Sequence, residues 1–170
     1  GGAGQGLLFS TSLGSIKGIL HRAEGSNQGV IWVCGASGGF GGPGPGTYAR
    51  LSEEFRRQGI TSLRLDYREP NALTDCVMDL LVGVNYLKDE GYEPVVIVGH
   101  SFGGAVVIAA GVHSSHVKGV VSLSPQTFAD GMISGRPAAI GAGTGPAARA
   151  APIFAPIGGA MAGFAGACGA

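Results

Sequence analysis

The chain is short of charge. Its 170 residues include 11 Lys and Arg against 11 Asp and Glu, a formal net charge of zero. Charge this sparse and balanced leaves no basic face for nucleic acid and no acidic tail, so no nucleic-acid partner is expected. Cysteine is scarcer still. Cys34, Cys76 and Cys168 are odd in number and far apart, which argues against a disulfide framework and fits a reducing, cytoplasmic compartment. The sequence has no Cys-x-x-Cys pair and no His/Cys cluster, so no metal site is expected. The first ten residues, GGAGQGLLFS, show no basic stretch followed by a long apolar run, so no signal peptide is read there.

Two further shortages concern the second half of the chain. From Pro137 to Ala170 there is no acid, no Lys and no His, and Gly and Ala dominate. Residues 151–170 carry no charge and contain a Gly-x-x-x-Gly (Gly159, Gly163), the pattern of a membrane-helix contact. Ala and Gly transfer weakly into lipid, and Pro152 and Pro156 would interrupt a helix, so a poorly ordered tail is expected and no membrane partner. Histidine occurs at positions 21, 100, 113 and 116, and nowhere later.

What is present reads as alternating strands and helices. Residues 7–22 form two short runs split by Gly14, a hairpin signal. Val30 to Cys34 is a continuous apolar run, as in a strand buried on both faces. A Gly/Pro-rich loop over 35–46 leads to a helix in which Tyr48, Leu51 and Phe55 recur every three to four residues, with Thr47 expected to cap its start and Gly59 to end it. Residues 60–67 form the next strand. A second helix follows, with Leu73, Val77, Leu80, Leu81, Val84 and Leu87 on one face. A buried strand at 94–99, a third helix from Gly103 and a strand at 117–124 complete the readable part. The pattern predicts an α/β domain over residues 1–130 with a mostly parallel sheet, and sets 131–170 apart as an Ala/Gly-rich tail.

The chemistry-bearing motif is Gly99-His100-Ser101-Phe102-Gly103, set between a buried strand and a small-residue helix. In that context the pentapeptide forces its serine into a strained turn with the hydroxyl exposed above the sheet, while the flanking glycines leave room for neighbouring backbone. The N–H of Phe102 lies at the start of a helix, where partial positive charge favours an oxyanion. A second backbone donor is expected from CGASGGFGGPG, the loop after the earlier strand, with Ala36 the first choice and Ser37 the second.

The order of these pieces, Cys34-Gly35 loop, helix, Asp66-Tyr67-Arg68 turn, helix, then the serine turn extended by Gly104, resembles an α/β-hydrolase. It is similar in particular to the small dienelactone-hydrolase-like serine hydrolases over roughly residues 7–128. The resemblance implies an ester, thioester or related acyl substrate, a small molecule, with no cofactor and a Ser–His–Asp triad. Dienelactone hydrolases proper use a cysteine nucleophile, and Ser101 stands in that place here. Losing the last strands of that fold would leave the edge beside 117–124 open to self-association.

The same glycine loop also matches a dinucleotide-binding Gly-x-x-x-Gly-x-Gly at Gly35, Gly39 and Gly41. Such a loop needs its helix to begin at once. Here residues 42–46 intervene, and no Tyr-x-x-x-Lys follows, so cofactor binding is not expected.

An activated serine needs an imidazole oriented by a carboxylate, and in this fold the chain order is Ser, acid, His. Asp130, after the last readable strand, is the tentative acid, whereas Asp66 is expected only to fix the turn after its own strand. No late histidine exists. His113 stands at the far end of a helix from Ser101, His100 is expected to pack against loops, and His21 to be exposed at the hairpin end. The expectation is therefore a serine hydrolase of low activity, or a non-catalytic binding protein that keeps the fold. Where the family carries its last strands, acid and histidine, this chain has Gly, Ala, Pro and Arg, residues of GC-rich codons. The expectation is an out-of-frame or otherwise aberrant reading attached to a truncated hydrolase after about residue 130.

Overall fold

The structure, a computed structural model, describes residues 4–123. The hairpin is present as β1 (Gln5–Thr11) and β2 (Gly14–His21), followed by β3 (Gln28–Val33), α1 (Thr47–Arg57), β4 (Ile60–Asp66), α2 (Leu73–Asp89), β5 (Val95–His100), α3 (Phe102–Gly111) and β6 (Val117–Leu123). The described strands form one sheet in the order β1-β2-β4-β3-β5-β6. β4, β3, β5 and β6 run parallel, and the hairpin adds to β4 in the antiparallel sense.

Burial on both faces explains the continuous apolar runs. Successive residues of a strand point to opposite faces. In β3, Ile31 and Val33 pack with α2 and α3, while Val30 and Trp32 pack with Tyr48, Leu51 and Phe55 of α1. The Trp32 ring lies 5.1 Å from that of Tyr48 and 5.2 Å from that of Phe55. The second helix buries Val77, Leu80, Val84 and Leu87 as its spacing predicts, together with Cys76, Asp79 and Gly83. Gly83 sits where a Cβ would come within 2.5 Å of Leu65 Cδ1. The two buried thiols divide between the faces, Cys76 on the α2 side and Cys34 on the α1 side. Burial raises the pKa of both, that of Cys76 to about 12.

Two local expectations are corrected. Thr47 does not cap α1: the cap position is Gly46, at φ 67°, with no side-chain hydrogen bond. Loop carbonyls satisfy the first amides instead, as Thr47 N–H donates to Gly44 O (3.2 Å) and Tyr48 N–H to Gly41 O (2.9 Å). Gly59 ends the helix as expected, at φ 81°. His21 is not exposed but 4% accessible, because the α1 side of the sheet closes over it. Its Nε2 accepts from Arg64 Nε at 3.1 Å.

That hydrogen bond requires a neutral imidazole, and both burial and the Arg64 guanidinium lower the His21 pKa below 6.5. Below that value the unfolded chain binds a proton that the folded chain refuses, so stability falls as pH drops through the window between the folded pKa and 6.5. We expect the urea midpoint to be lower at about pH 5.5 than at about pH 7.5. His21→Gln keeps an acceptor for Arg64 and is expected to reduce that difference, leaving the part contributed by the buried His100. An unchanged slope in the variant would remove His21 as its source.

Following the parallel strands shows where a site belongs. From β3 the chain moves outward on one side to β4, then returns across β3 to β5 and continues outward to β6. The order therefore reverses between β3 and β5, and the loops leaving their carboxyl ends diverge around a crevice. The Gly/Pro-rich loop and the serine turn are those two loops.

Candidate active site

Ser101 is the single residue between β5 and α3, with φ 56° and ψ −120°. Among the described residues only Asn71 shares a positive φ outside glycine. Such a backbone costs on the order of 1–3 kcal/mol and persists where its surroundings enforce it. They do so from both sides. Ser101 N–H donates to Leu123 O at 2.9 Å, extending the β5–β6 ladder past the strand end, and Ser101 O accepts from Gly104 N–H at 2.9 Å in the first turn of α3. The flanking glycines are obligatory. A Cβ on Gly99 would stand 2.0 Å from Gly103 O, and one on Gly103 would stand 2.3 Å from Cys34 O.

The second loop reaches this turn. A Cβ on Gly35 would lie 3.5 Å from Ser101 Cβ and 3.6 Å from His100 O. Gly38 N–H donates to Gly35 O at 3.0 Å, closing a turn with Ala36 and Ser37 at its centre. The amides of Ala36 and Ser37 donate to nothing among the described residues. Ala36 packs against the core, whereas Ser37 is exposed. Phe102 opens α3 with its side chain buried, edge-on to Tyr67 at 6.0 Å between centroids.

Tyrosines fix the floor beneath the loop. Tyr48 Oη donates to Val33 O and Tyr67 Oη to Cys34 O, each at 3.1 Å, while Gly42 N–H donates to Cys34 Sγ at 3.2 Å. Burial pushes the Tyr67 pKa far up, so its hydroxyl keeps its proton and remains a donor. Asp66 acts differently from the sequence expectation. The turn after β4 is fixed by Asp79 of α2, which accepts from Arg68 N–H (2.8 Å) and Arg68 Nε (2.5 Å). Asp66 instead reaches across to the glycine loop, where its Oδ1 accepts from Gly39 N–H at 2.6 Å. No periodicity could reveal this contact; the available signal was a carboxylate at the end of a strand facing a glycine-rich segment.

No described histidine is brought to the serine hydroxyl as a partner. His100 lies beside the loop as expected: a Cβ on Gly35 would be 3.8 Å from its Nδ1. That Nδ1 is buried with no hydrogen-bond partner among the described residues, and burial lowers the His100 pKa. His21 pairs with Ser62 while Lys17 of the same strand pairs with Asp66, which puts His21 toward the opposite end of β4. His113 and His116 follow α3 and precede β6, again at the end away from Ser101. Asp130 and the tail from 131 lie outside the described residues. Among the described residues no group of three His, Cys, Asp or Glu side chains could hold a metal ion, and no helix is long and apolar enough to cross a membrane.

Comparison with known proteins agrees with this geometry. The model of the "Alpha/beta hydrolase family" matches residues 25–167, a span that continues through most of the segment that composition set apart. The alpha/beta hydrolase GrgF from Penicillium sp. sh18 is similar in structure, with a TM-score of 0.59 and 22% identity over 71% of this chain and 45% of that one. Est1E from Butyrivibrio proteoclasticus gives a TM-score of 0.62 and 20% identity over 72% of this chain and 51% of its own. The Pyrococcus furiosus esterase Pf2001 gives 0.62 and 22% over 72% and 50%. This chain thus spans about half the length of each. No curated protein matches it in sequence. With the serine turn and the glycine loop at the crevice of a mostly parallel sheet, and the family match running over most of its length, the chain belongs to the alpha/beta hydrolase family.

Proposed function

We propose that the chain carries the nucleophile half of a serine hydrolase acting on an ester, thioester or related acyl substrate, of the small dienelactone-hydrolase-like kind. The observation that carries this reading is the backbone of Ser101, held at φ 56° where β5 meets α3 with the Gly35 turn against it. In the reaction, Ser101 Oγ attacks the acyl carbon and its proton passes to a base. The N–H groups of Phe102 and Ala36 face the oxygen as it becomes negative. Collapse expels the alcohol or thiol, and water then releases the acid by the same route. Asp130 is the tentative acid of the triad. The base that takes the Ser101 proton is not found among the described histidines, and its loss from a complete triad costs on the order of a millionfold in turnover.

A second reading is a binding protein that keeps the fold without turnover, since no described histidine makes a hydrogen bond to the Ser101 hydroxyl. Intact-mass spectrometry after treatment with a fluorophosphonate separates the two. We expect one adduct on the folded protein and none on Ser101→Ala. A folded protein that never acquires the adduct would overturn the hydrolase reading in favour of the binding one.

A further inference from the structure

We propose that Asp66, assisted by Arg64, is a positioning residue for acyl transfer: the two clamp the glycine loop onto the end of β4 and thereby hold the Ala36 amide over the reacting oxygen. This inference rests on the hydrolase reading of Ser101.

Arg64 and Asp66 stand two residues apart on β4, so both project from the same face of the sheet. Each meets a neighbouring residue of the loop. Asp66 Oδ1 accepts from Gly39 N–H at 2.6 Å, a short bond of the charge-assisted kind. Arg64 Nη1 donates to Phe40 O at 3.3 Å, and its guanidinium carbon lies 5.9 Å from the centre of the Phe40 ring. Arg64 is itself held, since its Nε donates to His21 Nε2 at 3.1 Å. Positive φ at Gly38 (68°) and Gly39 (86°) lays the loop backbone down on Asp66, where a Cβ on Gly38 would be 2.9 Å from Oδ1.

The clamp matters because the loop is otherwise held at residues 35–38 and 41–42, which leaves Gly39 and Phe40 to the contacts with Asp66 and Arg64. Tyr67 and Gly103 fix the loop where it leaves β3, through the Cys34 carbonyl. Beyond it the chain runs through Gly38, Gly39, Gly41 and Gly42, whose backbones are the least restricted of any residue. The turn bearing Ala36 lies between the anchored β3 end and this segment. Releasing Gly39 leaves that end to the longer Arg64–Phe40 contacts and so loosens it. An oxyanion donor acts only at hydrogen-bond distance from the developing charge, and a displacement of about 1 Å can cost about 100-fold in rate.

Three variants test this. Asp66→Ala removes the acceptor and is expected to slow fluorophosphonate labelling of Ser101 about 10- to 100-fold. Asp66→Asn keeps an oxygen that can accept from Gly39 and is expected to stay within a few-fold of wild type. A triad acid would behave otherwise, since the asparagine variant of one costs about 10⁴-fold. Asp66→Ser serves if the alanine variant does not fold: its hydroxyl is too short to reach Gly39, and the same slowing is expected. Amide hydrogen exchange over residues 35–42 is the second readout. It is expected to accelerate in the alanine or serine variant, but not in Asp66→Asn or Ser101→Ala. Labelling at the wild-type rate without the acceptor would overturn the clamp, as would an asparagine variant as slow as alanine. If wild-type Ser101 never labels, the hydrolase reading fails; unchanged exchange in Asp66→Ala then overturns the clamp separately, and accelerated exchange upholds the contact itself.

Discussion

Replacing Gly103 by alanine is expected to destabilise the protein by about 3 kcal/mol or more. The added methyl would meet Cys34 O at 2.3 Å, Val33 O at 3.0 Å and Cys34 C at 3.1 Å. All three are backbone atoms, so no flexible side chain can swing aside; α3 or the end of β3 must move, and each carries part of the site. Gly99→Ala is expected to be at least as damaging, with its methyl 2.0 Å from Gly103 O. Gly41→Ala is the control, because a Cβ there meets nothing within 4 Å. Its effect is expected within about 0.5 kcal/mol. Urea titrations of the three variants check the ranking, and coincident midpoints for positions 103 and 41 would refute the close packing of α3.

The second large effect lies away from the site. Asp79→Ala is expected to cost about 3–5 kcal/mol, because it strands a buried guanidinium. Asp79 is fully buried, and the Arg68 side chain it holds is only 12% accessible. Arg68 also donates to Thr11 Oγ1 at 3.4 Å, so the pair ties α2, the turn after β4 and the hairpin to one point. The cost arises from breaking the pair rather than from lacking it. Asp79→Leu with Arg68→Met is therefore expected to recover most of the loss in the same titration. A single variant that loses less than about 1 kcal/mol would show that water reaches Arg68 and that the charge is not stranded.

The elements were legible because their signals are local. Tyr48, Leu51 and Phe55 mark a helix face within one short window, and Val30 to Val33 mark a doubly buried strand by leaving no polar position. The serine turn was legible because its pentapeptide is itself a local pattern: Gly99 is dictated by a clash with Gly103, four residues on, although the contact that requires Gly103 comes from Val33 and Cys34 at the end of β3. What stayed hidden depends on distant pairing. Gly39 and Asp66 are 27 residues apart, and His21 and Arg64 are 43 apart. Neither pair has a period to betray it. His21 read as exposed because it ends a hairpin, and only the closure of α1 over β2 and β4 buries it. Asp79 gave no signal in the sequence of α2, because a buried carboxylate is recognised only with its cation in view. Thr47 resembled a cap because the side-chain type is right, but the loop carbonyls of Gly41 and Gly44 had already taken the amides.

The bond between Ser101 N–H and Leu123 O has a consequence for the order in which the molecule comes into being. Synthesis delivers position 101 well before position 123. Until β6 has been made and docked, the serine amide has no carbonyl to meet, and nothing on that side opposes relaxation of the backbone toward an ordinary conformation. A nascent chain therefore displays the whole pentapeptide while its serine is still shaped like any other. The strained serine turn is locked only with the sixth strand, as one of the last features this part of the polypeptide acquires.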